Sequence, residues 1–151
     1  MEDNILEKFI NKKVSEVMIK DPLYFITPDE KISTTELLML KKKIGGLPVV
    51  NNSKDKHLIG IITQRDIRLA RFAVSLESPR TTVKNLMTPE PIVVKKNDSI
   101  KDALSKYFKY DIERLPVVNG DDKTLIGLLI QRDILKTLFT MILDENSKLF
   151  S

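Results

Sequence analysis

A chain of 151 residues with 42% hydrophobic and 30% charged side chains has an ordinary soluble, globular balance and can bury a sizeable core. Cysteine is absent, which excludes disulfides, zinc-thiolate sites and thiol nucleophiles; 25 basic and 21 acidic residues leave a net charge of +4, milder than dedicated nucleic-acid binders usually concentrate on one face. No apolar run approaches a membrane span, and the N-terminus mixes acids with apolar residues instead of showing a basic start and a greasy stretch, so a cytoplasmic chain without membrane contact is expected.

From Met1 to Lys13, Ile5, Leu6, Phe9 and Ile10 make one apolar stripe on a short predicted helix that must pack on something. A strand around Tyr24 to Ile26, a turn at Thr27-Pro28-Asp29 and a helix from about Ile32 to Lys42 follow. Lys41-Lys42-Lys43 closes that helix, where basic residues suit the macrodipole, and reads as a solvated end. Ile44-Gly45-Gly46 leads into a strand at Leu47 to Val50, Asn51 to Lys56 is a polar turn, and Leu58 to Ile62 is a short buried strand. His57 stands alone, with no neighbour to complete a metal set. From Gln64 the apolar residues Ile67, Ala70 and Val74 take helical spacing to about Ser75, and Leu76 to Thr82 reads as a linker in which Pro79 stops the helix. After Val83, Ile100, Ala103, Leu104, Tyr107 and Phe108 define the clearest helix. Ile134, Leu135, Leu138, Phe139 and Ile142 repeat its pattern in a last helix apolar enough to serve as a dimer face.

Three blocks occur twice, in one order. Met18 to Pro22 matches Met87 to Pro91, Leu47-Pro48-Val49-Val50 matches Leu115-Pro116-Val117-Val118, and Gly60-Ile61-Ile62-Thr63-Gln64-Arg65-Asp66-Ile67 matches Gly127-Leu128-Leu129-Ile130-Gln131-Arg132-Asp133-Ile134. The copies lie about 67 to 69 residues apart, longer than solenoid periods and close to half the chain, which implies two similar small domains. Their boundaries are expected at 14–75 and 83–143, after a leading helix over 1–13, with a linker over 76–82 and a tail over 144–151.

The last block carries chemistry. Thr63 and Asp66 have the spacing of a capping box, in which the hydroxyl accepts from an early helix amide and the carboxylate reaches back to the cap residue's amide. The same residues also suit a nucleotide: helix-start amides, the Thr63 hydroxyl and the Arg65 cation fit phosphate, and the carboxylate fits a vicinal diol. Both readings remain open on spacing alone. The second copy has Ile130 in place of the threonine, so no reciprocal box can form there, yet Asp133 is kept.

The ordered blocks resemble the CBS (cystathionine β-synthase) domain, and two in tandem resemble a CBS pair, or Bateman module, over about residues 14 to 140. The resemblance implies an α+β fold: two pseudo-symmetric β-α-β-β-α repeats packed as a pair with two inter-repeat clefts. It also implies a regulatory module, not an enzyme, that binds AMP, ADP or ATP, with S-adenosylmethionine as an alternative ligand. The regulated enzyme or transporter is unidentified, and no catalytic cofactor or metal is implied. In such pairs the Thr and Asp of one copy face the first strands of the other. The main cleft is then Thr63 for phosphate and Asp66 for ribose, with Arg65, and Met87, Thr88, Ile92 and Ile112 around adenine. Glu113-Arg114-Leu115-Pro116-Val117 is similar to the histidine-arginine-leucine-proline-valine segment of the gamma subunit of AMP-activated protein kinase, so Arg114 is carried over as a phosphate contact while Glu113 replaces a donor. The second cleft comprises Met18, Ile19, Leu23, Tyr24, Ile44, Gly45, Gly46, Ile130, Arg132 and Asp133. With isoleucine and glycines at two phosphate positions, it is expected to be weaker for phosphorylated ligands.

The rival classes have thinner support. For catalysis the sequence offers no cysteine, no histidine pair, no glycine-rich phosphate loop and no paired carboxylates beyond the helix-start aspartates. Nucleic-acid binding would rest on scattered lysines without stacking aromatics between them.

Overall fold

The computed structural model describes residues 4–73 and 80–149. The expected linker before Arg80, the expected helix end at Val74 and Ser75, and the outermost residues of both terminal segments lie outside them. In chain order the elements are α1 (Ile5–Ile10), a 3-10 turn (Val14–Glu16), α2 (Ile32–Lys42), β1 (Gly46–Val50), β2 (Leu58–Thr63), α3 (Gln64–Ala73), α4 (Val83–Leu86), β3 (Thr88–Pro89), β4 (Val94–Lys95), α5 (Ile100–Tyr110), β5 (Arg114–Val118), β6 (Leu125–Ile130) and α6 (Gln131–Leu149). They form two compact units that cut across the sequence repeats. Unit 1 comprises Met1–Leu23, Ile92–Asp121 and Ile126–Ser151; unit 2 comprises Tyr24–Pro91 and Asp122–Leu125.

Unit 2 is built on a three-stranded sheet in the order β1-β2-β3. β1 and β2 pair antiparallel from Gly46 opposite Thr63 to Val50 opposite Leu58, with an irregularity at Val49/Val50. β3, from the start of the second repeat, adds to β2 at Gly60↔Pro89 and Ile61↔Thr88. The strand expected at Tyr24 to Ile26 is reduced to one parallel bridge, Ile26↔Val49. Pro48 explains the shortening: it gives its carbonyl to Ile26 N–H (3.0 Å) but has no N–H to extend a ladder. Ile26, Ile32, Met39, Leu47, Ile62 and Ile67 form the core; burying each such side chain stabilises by roughly 1.5 to 3 kcal/mol. The hairpin around Lys56 and His57 also takes in Asp122–Leu125, through Leu58 N–H to Lys123 O (3.0 Å) and Leu125 N–H to Lys56 O (2.9 Å).

Unit 1 repeats the plan with β4-β5-β6. β4 runs parallel to β5, at Val94↔Val117 and Lys95↔Val118. α1 packs on α5 and α6, burying Phe9 in a core with Val14, Ile100, Leu115 and Leu129, while Leu6 of its apolar stripe stays exposed. α5 starts with a reciprocal box: Asp102 N–H donates to Ser99 Oγ (3.1 Å) and Ser99 N–H donates to Asp102 Oδ2 (3.0 Å). In place of β3, the Met18-Ile19 segment joins β6 through Ile19 N–H to Leu128 O (2.8 Å) and Leu128 N–H to Ile19 O (3.0 Å).

Each unit thus holds the Met-x-x-x-Pro segment of one repeat against the Gly-containing strand of the other. The glycine makes this close approach possible. A Cβ on Gly60 would sit 2.8 Å from Met87 Sδ and 3.0 Å from Thr88 O. One on Gly127 would collide with Met18 Sδ and stand 3.1 Å from Ile19 O.

Candidate functional site

At the start of α3 the capping box is fully formed. Asp66 Oδ2 accepts from Thr63 N–H (2.8 Å) and from the Thr63 hydroxyl (2.9 Å), and Asp66 N–H donates to Thr63 Oγ (3.2 Å). The hydroxyl's one proton is therefore committed to the carboxylate, and Oδ1 is the oxygen left to accept from a ligand. Gln64 N–H is committed too, to Gly45 O at 2.9 Å. Arg65 projects from the helix as an exposed cation.

The equivalent start of α6 is different because Ile130 has no oxygen. Asp133 Oδ2 is buried and meets no hydrogen-bond donor among the described residues. Its closest cation is Arg132, whose Nε lies 3.8 Å from Oδ1, beyond hydrogen-bonding distance, with the arginine side chain 77% exposed. Such an acceptor costs about 1 to 3 kcal/mol or more when left unmet, so it is uncommon unless something outside the chain meets it. Asp133 also lines a groove of about 410 Å³ within unit 1, between the Met18-Ile19-Lys20 segment and the Lys136-Thr137 turn of α6. That volume is in the range of small-molecule sites. The Thr137 hydroxyl is already spent on Asp133 O (2.8 Å). Nearby, Tyr107 donates to Leu129 O at 2.6 Å; burial first, and then the Asp133 charge, push its phenol above the ordinary tyrosine value, against an opposing pull from Arg114.

Of the residues singled out by sequence, unit 2 contains Thr63, Arg65, Asp66, Met87 and Thr88, together with Tyr24, Ile44, Gly45 and Gly46. Gly46 pairs directly with Thr63, and Tyr24, Ile44 and Met87 pack on the unit's core. Unit 1 contains Met18, Ile19, Leu23, Ile92, Ile112, Glu113, Arg114, Ile130, Arg132 and Asp133. Met18, Ile19 and Asp133 meet in the groove; Ile92 and Ile112 pack on the core. Arg114 lies 3.6 Å from Glu113 and is one-quarter exposed. Sequence reasoning passed over Lys20, Lys136 and Thr137. The last two could have been found, since they follow Asp133 by three and four residues and so share its helix face. Among the described residues no group of His, Asp and Glu could hold a metal ion, and no helix is long and apolar enough to cross a membrane.

The family profile of the CBS domain matches residues 14–72 and 83–140. The chain is 38% identical over 125 residues to inosine-5'-monophosphate dehydrogenase of Methanocaldococcus jannaschii, and 35% identical over 128 residues to that of Bacillus subtilis. These matches cover 83% and 84% of this chain but only 23% and 25% of the two relatives, so the chain spans about a quarter of their length. Among solved structures, CBSX2 of Arabidopsis thaliana in complex with AMP is similar with a TM-score of 0.73 and 26% identity, covering 85% of this chain and 97% of that one. The CBS domain pair of MJ0100 in complex with 5-methylthioadenosine and S-adenosyl-L-methionine is similar with a TM-score of 0.72 and the same identity and coverage.

Proposed function

The chain belongs to the CBS-domain family, with two copies in tandem, and from that premise we propose that it is a non-enzymatic regulatory module that senses an adenosine-containing ligand. The observation that carries this reading is the Asp133 carboxylate, one oxygen of which is buried without a donor, in the lining of a groove of about 410 Å³. A ribose supplies two adjacent hydroxyl donors, which suit a carboxylate as few other common metabolite fragments do. The similar structures bound to AMP and to adenosine thioethers support the same ligand class. A phosphorylated ligand, AMP, ADP or ATP, is assigned to the Thr63–Asp66 helix start, where it competes with the cap for the hydroxyl and gains the Arg65 cation. Two copies of the chain associate through the apolar faces of α3 and α6, and ligand occupancy is passed to a separate or attached enzyme or transporter.

A melting screen with AMP, ADP, ATP and S-adenosylmethionine tests the proposal. A ligand at a hundred times its dissociation constant adds about 2.7 kcal/mol, which for a chain of this size raises Tm by more than about 4 °C. Four flat responses at millimolar ligand would overturn it, as would turnover of ATP by the purified chain.

A further inference from the structure

We propose that Met18 and Met87 are redox-sensitive fasteners. A hydroperoxide oxidises their thioethers to sulfoxides, which loosens the exchanged segments from the glycine-containing strands, and reduction of the sulfoxides fastens them again. The chain thereby carries a reversible response to peroxide without a single cysteine.

The two thioethers occupy equivalent places in the two units. Met18 Sδ fills the space that a Cβ on Gly127 would take, with Cγ 2.9 Å from that point, and Met87 Sδ lies 2.8 Å from the same point on Gly60. Each sulfur therefore sits in a niche that exists only because the facing residue has no side chain. The backbone beside Met18 has no donor to spare, since Ile19 N–H and Leu128 N–H are each bonded to the other's carbonyl (2.8 and 3.0 Å). A sulfoxide turns a flexible apolar side chain into a polar one and adds an oxygen that needs a donor, so a niche of this kind disfavours it. Exposure decides which sulfurs react. Met39 is 1% exposed in the unit 2 core and is shielded, whereas Met18 and Met87 are half-buried, and Met18 also lines the groove of about 410 Å³, ample for a peroxide. Met141, half-buried as well, packs on the unit 1 core from α6, outside both glycine niches. The step is an oxygen transfer: an S–O bond forms as the peroxide O–O bond breaks, the sulfur loses two electrons, and the peroxide leaves as water or an alcohol.

The test is thermal unfolding of the full chain before and after exposure to hydrogen peroxide, with the oxidised positions read by mass spectrometry of its peptides. Met18 and Met87 should each gain one oxygen before Met39 does, and Tm should fall by at least about 4 °C. Met18→Leu combined with Met87→Leu, close in volume and not oxidisable, should keep its Tm in peroxide. Each single leucine variant should show about half of the parent's loss, a reading that stands even where the double variant does not fold. A methionine sulfoxide reductase with dithiothreitol should return the oxidised parent to its starting Tm. Oxidation of Met39 ahead of Met18 and Met87 overturns the proposal, as does a Tm that holds with both sulfoxides in place. Leucine variants that lose as much as the parent, or a Tm that reduction does not restore, overturn it equally. The measurement uses no ligand, so its outcome is separate from that of the regulatory reading.

Discussion

Gly60 and Gly127 are the positions of the repeated motif least tolerant of a single added carbon. Gly60→Ala drives a Cβ to 2.8 Å from Met87 Sδ, and the strand or the methionine must yield. Overpacking of this kind costs about 1 to 3 kcal/mol, so urea titration should show the loss for Gly60→Ala and for Gly127→Ala, against little change for Gly120→Ala, where nothing lies within 4 Å. Asp66 is the second case. Asp66→Ala removes an acceptor for the ribose and should weaken AMP binding at least tenfold by calorimetry, and the lost cap should lower stability by about 1 kcal/mol. Much of this scale was legible in the sequence. The Thr63–Asp66 spacing announces its box, and Ile130 announces that none can form beside Asp133. What spacing left open was whether a formed box and a ligand site exclude each other. The role of the glycines was hidden because their contacts are with residues far along the chain.

At the scale of the element, α2 falls at the expected Ile32 to Lys42 and α5 begins where its periodicity does. Helices are legible because their apolar spacing and caps are local. The first strand of the first repeat was over-read, because Tyr24 to Ile26 has the composition of a strand but meets a proline across the sheet. The cap of α5 makes a prediction about pH. Bonds from Ser99 hold the Asp102 carboxyl below its ordinary value. A depressed carboxyl contributes stability above the unfolded pKa, near about 3.9, and loses it as pH falls through the lower folded value. Ser99→Ala should therefore cost about 1 kcal/mol at neutral pH, and the gap between variant and parent should narrow on acidification below about pH 4. A second prediction concerns α3 and α6, which leave Leu69, Phe72 (89% exposed), Leu135 and Phe139 facing solvent. Light scattering at micromolar concentration should give twice the mass of one chain, and Leu135→Glu with Phe139→Glu should return the single-chain mass.

At the scale of the molecule, the duplication was visible as three ordered blocks, and the family follows from them. The exchange of leading segments was not visible in periodicity, because Met18 reaching Gly127 and Met87 reaching Gly60 are tertiary pairings with no local signal. It predicts how the chain responds to cutting. Residues 1–75 carry the segment that completes unit 1 but lack the β3 segment that completes unit 2. Circular dichroism of that fragment alone should show no cooperative melt, and mixing it with residues 76–151 should restore one.

The same exchange sets an order of events during synthesis. On a ribosome, the stretch from Tyr24 to Pro91 contains nearly all of unit 2 and can condense while the second half of the chain is still being made. The Met18-Ile19 segment, made before that stretch, must wait for β6 and α6, made well after it. Through that interval it presents an unpaired edge with Phe9, Val14 and Val17 uncovered, an exposure that late, long-range pairing imposes on any nascent chain. The earlier-made segment is thus the later to find its place.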